Sequence, residues 1–155
     1  MTQAGQIVES YLQETIRDLT QSYMEKGLKA SGRYGRGLTY KVEDTGSKIL
    51  AYIESEGHGW FMEVGRGPNK RQTASQAKYL GKILEQWVKD KGISVNPYAA
   101  AWKIVRSGIQ VPNRFNPGDV IEDVVTNEWF DELIGRLSNS FIYAITTEVE
   151  RLFRK

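Results

Sequence analysis

The residues of this chain that are suited to catalysis are few and poorly placed for it. His58 is the only histidine among 155 residues, it lies between Gly57 and Gly59, and the chain contains no cysteine. Neither a repeated metal-ligand spacing nor a serine in a Gly-x-Ser-x-Gly turn accompanies it. We therefore expect His58 to be a surface or loop histidine, and we expect no metal, no cofactor and no catalytic residue.

Two further patterns are better explained by structure than by chemistry. Glu54, Glu56 and Glu63 are close in sequence, but strand alternation places Glu54 on the solvent face, so solvated carboxylates are favoured over an acid–base pair. The glycines of residues 32–37 follow a predicted helix and precede a predicted strand. This is the reverse of the order that directs backbone amides at phosphate, so a nucleotide loop is not expected and the chain is not predicted to be an enzyme.

Basic residues in two loops are the strongest candidates for a binding role. Residues 26–41 contain five bases and no acid, and the three glycines of residues 31–37 predict a flexible loop there. A second polar loop is predicted over residues 65–72. Mobile basic side chains contact phosphate without reading sequence, and Tyr34 could stack on a base. The residues predicted to face a partner protein or DNA are Arg33, Arg36, Arg66, Lys70 and Arg71.

Acidic residues are concentrated in a different part of the chain. The window from Asp119 to Glu132 holds six acids and no Lys or Arg, although the net charge of the whole chain is only +2. Two interpretations stay open at this point. The charged windows are unrelated solvated faces, or they have a binding role, either as complementary faces of neighbouring subunits or with the basic window as a DNA-facing loop.

The segment Trp60–Pro68 is expected to hold the second basic loop in place. Its bulky apolar residues, set around a single acid, predict a short buried helical turn. Gly65 and Gly67 suit the positive φ of a helix C-cap, and Pro68 prevents continuation of the helix. The residues predicted to form this structural anchor are Trp60, Phe61, Glu63, Gly65, Gly67 and Trp87.

Hydrophobic periodicity predicts a long helix at each end of the chain. Apolar residues at three- and four-residue spacing from Val8 to Tyr23 predict an amphipathic helix within residues 1–27. A second apolar stripe, from Phe130 to Leu152, predicts a helix over residues 126–155 with Thr126 or Asn127 as its N-cap. Acids in the first turns and bases in the last match the helix dipole.

The middle of the chain, residues 37–118, predicts a hairpin followed by a helix pair. Alternation around Tyr40 and Ile53 predicts two antiparallel strands with one buried face. Helices are predicted from Thr73 or Ser75 to Gly92 and over Pro97–Ser107, with irregular chain after them. Because two strands alone are marginal, a third is expected from Ile109–Phe115 or from a neighbouring subunit.

Together these elements predict an α+β fold in which long N- and C-terminal helices and a middle helix pair pack against a small antiparallel sheet. A length of 155 residues with 40% hydrophobic content favours a single domain, residues 1–155. Residues 1–6 lack the features of a signal peptide, and no apolar run approaches the ~20 residues that a membrane span needs. A soluble protein without a membrane partner is expected.

Several segments, in order along the chain, resemble the tail-completion family of tailed phages, also called head-tail joining or neck proteins. Glu63-Val64-Gly65 stands in an aromatic segment similar to the family's Glu-Phe-Gly signature, and Leu84 and Trp87 resemble its Leu-x-x-Trp-Ile helix. The resembling segments are Arg36–Tyr40, Trp60–Gly67, Leu84–Ile93, Ala101–Ile109 and Val111–Pro117. The resemblance covers most of the chain from Gly37 onward.

This resemblance implies a non-enzymatic virion assembly protein. Members are expected to form a ring, a hexamer in the virion, that stops tail growth and joins the tail to the capsid connector around the DNA channel. The implied partners are further copies of the chain, tail tube proteins and head-connector proteins, with non-specific contact to DNA in the channel. The implied location is the head-tail junction of a virion assembled in the host cytoplasm. The alternative is a small nucleic-acid-binding module that uses the basic Gly-Arg loops.

Overall fold

The computed structural model describes residues 1–55 and 59–153, so the predictions for His58 and Glu56 lie outside the described residues. The predicted α+β class is confirmed, with one two-stranded antiparallel sheet in the described part of the chain. In chain order the elements are α1 (Gln3–Glu25), α2 (Arg33–Gly37), β1 (Thr39–Asp44), β2 (Ile49–Glu54), α3 (Gly59–Val64), α4 (Ala74–Lys91), α5 (Pro97–Ser107) and α6 (Asn127–Phe153).

Capping residues explain where the predicted helices begin and end. The Thr2 hydroxyl accepts a hydrogen bond from the Gly5 amide at the start of α1, and the Thr73 hydroxyl accepts one from Gln76 at the start of α4. Gly92 ends α4 with a φ of 63°. The boundaries predicted for these two helices are confirmed within one or two residues.

The sheet is the predicted hairpin, with Tyr40 opposite Ile53. Glu54 is exposed and pairs with Lys41 at 3.7 Å, which confirms the predicted solvent face. Among the described residues, the third strand expected from Ile109–Phe115 is wrong, and the alternative, a strand from a neighbouring subunit, stays a prediction. Ile109 makes only an isolated bridge to Arg66, and proline at position 112 lacks the amide that a continuing ladder needs.

The core lies between α1, α2 and residues 120–124. Tyr34 is only 4% exposed, and its ring centroid is 4.7 Å from that of Tyr23. The predictions of a flexible loop at residues 31–37 and of a base-stacking Tyr34 are therefore wrong. Burial of the Tyr34 ring favours the short helix α2 although it contains two glycines and is preceded by a third. The core residues are Leu19, Tyr23, Leu28, Tyr34, Leu38 and Val120.

The first turns of α6 are attached to α1 by polar contacts. The Trp129 indole donates to the Thr15 hydroxyl at 2.8 Å, and Arg136 donates to both carboxylate oxygens of Glu14 at 3.0 and 2.7 Å. The predicted C-terminal helix is confirmed, but its apolar stripe does not enter the core. Phe130 is 51% exposed and Ile145 is 64% exposed.

The attachment of α6 should depend on pH through Glu14. The hydrogen bonds from Arg136 lower the pKa of Glu14 from its ordinary value of 4.5, so this pair stabilises the fold above that pH. The stabilisation is lost as the pH falls through the lowered folded-state pKa. Because both side chains are about one-third exposed, we expect Glu14→Gln to lower the unfolding free energy by only about 0.5–1 kcal/mol at pH 7.

Urea unfolding of wild type and Glu14→Gln across pH 7 to pH 3 measures this effect. The difference between the two proteins should shrink once the pH is below 4.5. Glu43→Gln, a change of the same charge on the exposed side of β1, is the matched control and should leave stability within about 0.5 kcal/mol of wild type at pH 7. A difference for Glu14→Gln that stays constant to pH 3 would contradict the role of its charge.

Candidate functional site

Helix α3 presents apolar side chains to the outside of the molecule. Trp60 is 64% exposed, and Phe61 and Val64 are also exposed, whereas Met62 packs against the core. The helix was predicted, but its burial was not correctly predicted. A helix of six residues meets the core on one side only, so most of its apolar side chains are left outside.

Glu63 of α3 is a structural contact. Its carboxylate accepts hydrogen bonds from the amides of Val120 at 3.0 Å and Ile121 at 2.5 Å, with a longer one from Glu122 at 3.4 Å. Val120 is 1% exposed, so this carboxylate satisfies amides at the edge of the core. Glu63 thereby holds residues 120–122, near the start of the acidic window Asp119–Glu132, against α3.

Gly65 permits a close crossing of two backbone segments. Its φ is 75°, and a Cβ atom at this position would lie 2.1 Å from the carbonyl oxygen of Ile109. The amide of Arg66 donates to that carbonyl at 2.9 Å, and the amide of Ile109 donates to the Arg66 carbonyl at 2.7 Å. The positive φ predicted at Gly65 is confirmed, whereas Gly67 does not adopt one.

The loop of residues 65–72 is held against α5. The Asn69 amide donates to the carbonyl of Val105 at 2.9 Å, and the half-buried Arg66 guanidinium donates to the Asn69 side-chain oxygen. Lys70 and Arg71 are exposed. Arg66 therefore stabilises the loop, while Lys70 and Arg71 are available to a partner.

Trp87 joins α4 to the irregular segment that follows α5. Its ring meets Phe115 edge to face, with the centroids 6.0 Å apart. This contact reaches the segment after α5 and not the loop of residues 65–72, so the anchoring role of Trp87 for that loop stays a prediction.

The remaining predicted basic residues belong to α2, which packs against α1. Arg33 and Arg36 are both exposed, and Arg36 also donates to the Ser31 carbonyl at 2.9 Å. The five predicted basic residues thus lie on two separate elements. Arg33 and Arg36 belong to α2, which packs on α1, and the other three belong to the loop of residues 65–72, which is held against α5.

An acidic groove runs along α1 beside the start of α6. One open depression of the groove has a volume of about 490 Å³, and a second depression shares Asp18 and Val124 with it. Lys26 lies in the groove and pairs with Asp123 at 2.6 Å, and this hydrogen bond raises the pKa of the Lys26 ammonium. The carboxylates that line the groove are Glu14, Asp18, Glu25, Asp123, Glu128 and Glu132.

Sequence reasoning missed the contribution of α1 to this groove. Glu14, Asp18 and Glu25 follow each other at helical spacing, so they lie on one face of α1. This spacing is visible in the sequence, but the sequence does not indicate that this face of α1 lies beside residues 119–132. The groove extends the acidic window that the sequence did predict.

The described surfaces are suited to binding. Among residues 1–55 and 59–153, no group of three or more His, Asp or Glu side chains is placed to hold a metal ion. The exposed apolar side chains of α3 and α6, and the separated acidic and basic surfaces, favour contacts with other macromolecules.

None of the helices in the described chain combines the length and the apolar character required for crossing a membrane. No protein-family model matches the chain, and comparisons with curated proteins and with solved structures gave no significant match.

Proposed function

We propose that this chain is a non-enzymatic virion assembly protein of tailed phages, a ring-forming tail-completion or neck component that joins the tail to the capsid connector around the DNA channel. The observation that carries this proposal is the apolar stripe of α6. Phe130, Ile134, Phe141 and Ile145 are between 51% and 64% exposed, although they lie on one face of a long helix. Contiguous apolar surface of this kind marks a protein contact.

Separated charges support the same proposal. The acidic groove lies along α1 and the start of α6, whereas Lys70 and Arg71 lie on the loop beside α5. A ring of identical subunits needs two different lateral surfaces that complement each other. The segments that resemble the tail-completion family, from Gly37 onward, support the placement at the head-tail junction.

A particle-joining assay tests this proposal. In extracts where phage heads and tails are assembled without this chain, the heads and the tails should remain separate. Addition of the purified chain should join them. Electron microscopy of the joined particles should show a ring at the junction. Heads and tails that join equally well without the chain would contradict the proposal.

The alternative function is a small nucleic-acid-binding module, favoured by the exposure of Arg33, Lys70 and Arg71. A titration of duplex DNA at increasing salt separates the two. The assembly protein should show negligible binding to free DNA near physiological salt, because few phosphates are neutralised. Tight binding at that salt, weakened steeply by more salt and by Lys70→Ala with Arg71→Ala, would favour the module instead.

A further inference from the structure

The apolar stripe of α6 lies away from the contacts that hold this helix on α1. At about 100° per residue, Phe130, Ile134, Phe141 and Ile145 fall within an arc of about 60°. Trp129, which binds α1, falls on a different side of the helix. The stripe is therefore surface that the chain itself leaves uncovered.

An acid borders this stripe and argues against parallel pairing of α6 with a second α6. Asp131 is exposed in the first turns of α6, about 40° from the edge of the stripe. Arg136 is the only Lys or Arg between residues 127 and 150, and its guanidinium already binds Glu14 and Glu132. Two such helices paired in parallel, stripe to stripe, would bring the acids of their first turns together. A basic surface is the better complement.

Helix α4 offers an apolar surface with the opposite charge. Tyr79 and Ile83 are exposed and lie one turn apart. Lys78 directly precedes Tyr79, and Lys82 directly precedes Ile83. The other side of α4 is closed, because a Cβ atom at Gly81 would lie 2.4 Å from the ring of Tyr98 on α5. The outer face of α4 is thus a short apolar strip bordered by lysines.

We propose that the apolar stripe of α6 docks on the outer face of α4 of a second copy of this chain. Phe130 and Ile134, which like Tyr79 and Ile83 are one turn apart, cover Tyr79 and Ile83, and Asp131 faces Lys78 and Lys82. The two surfaces differ, so the contact is heterologous and repeats from subunit to subunit. This inference rests on the proposed function, since it names the lateral contact of the proposed ring.

Complementation between two variants tests this contact. Ile134→Asp disrupts the stripe and leaves α4 intact, whereas Ile83→Asp disrupts the α4 face and leaves the stripe intact. Each variant alone should self-associate at least about 30-fold more weakly than wild type in analytical ultracentrifugation. Mixed together, they should form an equimolar heterodimer that grows no further, because each supplies the surface that the other lacks.

Tyr143→Asp is the matched control, because Tyr143 is exposed on α6 but lies outside the stripe. It should self-associate as wild type does. Circular dichroism on all variants checks that helix content is kept, which is expected since each replaced side chain is exposed.

Three results would overturn the inference: a wild-type chain that stays monomeric, an Ile83→Asp variant that assembles like wild type, or a mixture that forms no heterodimer. The second of these would indicate pairing of α6 with itself. The proposed function is judged separately by the joining of heads and tails. If the two variants complement each other but the chain does not join heads and tails, the contact is supported and the proposed function is contradicted. If Ile83→Asp joins heads and tails as well as wild type does, the proposed function is supported and the contact is contradicted.

Discussion

Replacing Gly65 with alanine should destabilise the fold by about 2–5 kcal/mol. The new Cβ would meet the Ile109 carbonyl oxygen at 2.1 Å, and the backbone at this position holds a φ of 75°. Left-handed strain costs about 1–2 kcal/mol for a residue with a Cβ, and overpacking adds about 1–3 kcal/mol. Because the Ile109 atom is backbone, it cannot move aside without breaking the bridge to Arg66.

Urea denaturation followed by circular dichroism measures this loss of stability. Gly67→Ala is the matched control, since a Cβ there would have no neighbour within 4 Å and Gly67 has no positive φ. It should change stability by less than about 0.5 kcal/mol. Equal effects of the two substitutions would contradict a specific backbone crossing at Gly65.

Removal of the Glu63 carboxylate should have the second largest effect, a loss of about 2–4 kcal/mol for Glu63→Ala. The amides of Val120 and Ile121 would lose their acceptor beside a core residue that is 1% exposed. An unsatisfied buried donor costs about 1–3 kcal/mol, and bonds to a charged acceptor contribute about 1.5–3 kcal/mol. Glu63→Gln keeps one acceptor and should lose about half as much.

Glu122→Ala provides the comparison for Glu63→Ala, because it removes the same charge from an exposed side chain in the same segment. Its stability should stay within about 0.5 kcal/mol of wild type. Amide hydrogen exchange gives a second readout, since the Val120 and Ile121 amides should exchange faster only in the Glu63 variants. Unchanged exchange at both amides in Glu63→Ala would refute the role assigned to this carboxylate.

Elements that depend on neighbouring residues were predictable from the sequence. The caps at Thr2, Thr73 and Gly92 place the ends of α1 and α4 through hydrogen bonds that span a few residues. The hairpin follows from alternation alone. These signals are local, so no knowledge of the tertiary fold was needed to read them.

The burial of side chains and their contacts with distant residues could not be predicted from such local signals. Tyr34 and Trp60 are both large aromatics near glycines, yet Tyr34 packs on Tyr23 while Trp60 points outward. The acceptor role of Glu63 joins it to Val120, 57 positions later. Such contacts depend on how distant segments meet, and composition or periodicity carries no information about that meeting. The exposed stripe of α6 was visible as a pattern, but not as an uncovered surface.

The bridge between Arg66 and Ile109 has a consequence for how the chain can vary. Because these residues pair directly, the two ends of the stretch between them lie side by side. Within this stretch, α4 packs mainly against α5. A stretch whose ends already meet can gain or lose residues at little entropic cost to the remainder. Length variation between natural versions of this protein should therefore concentrate in the connection between Gly92 and Asn96, where the two helices of this excursion turn back on each other.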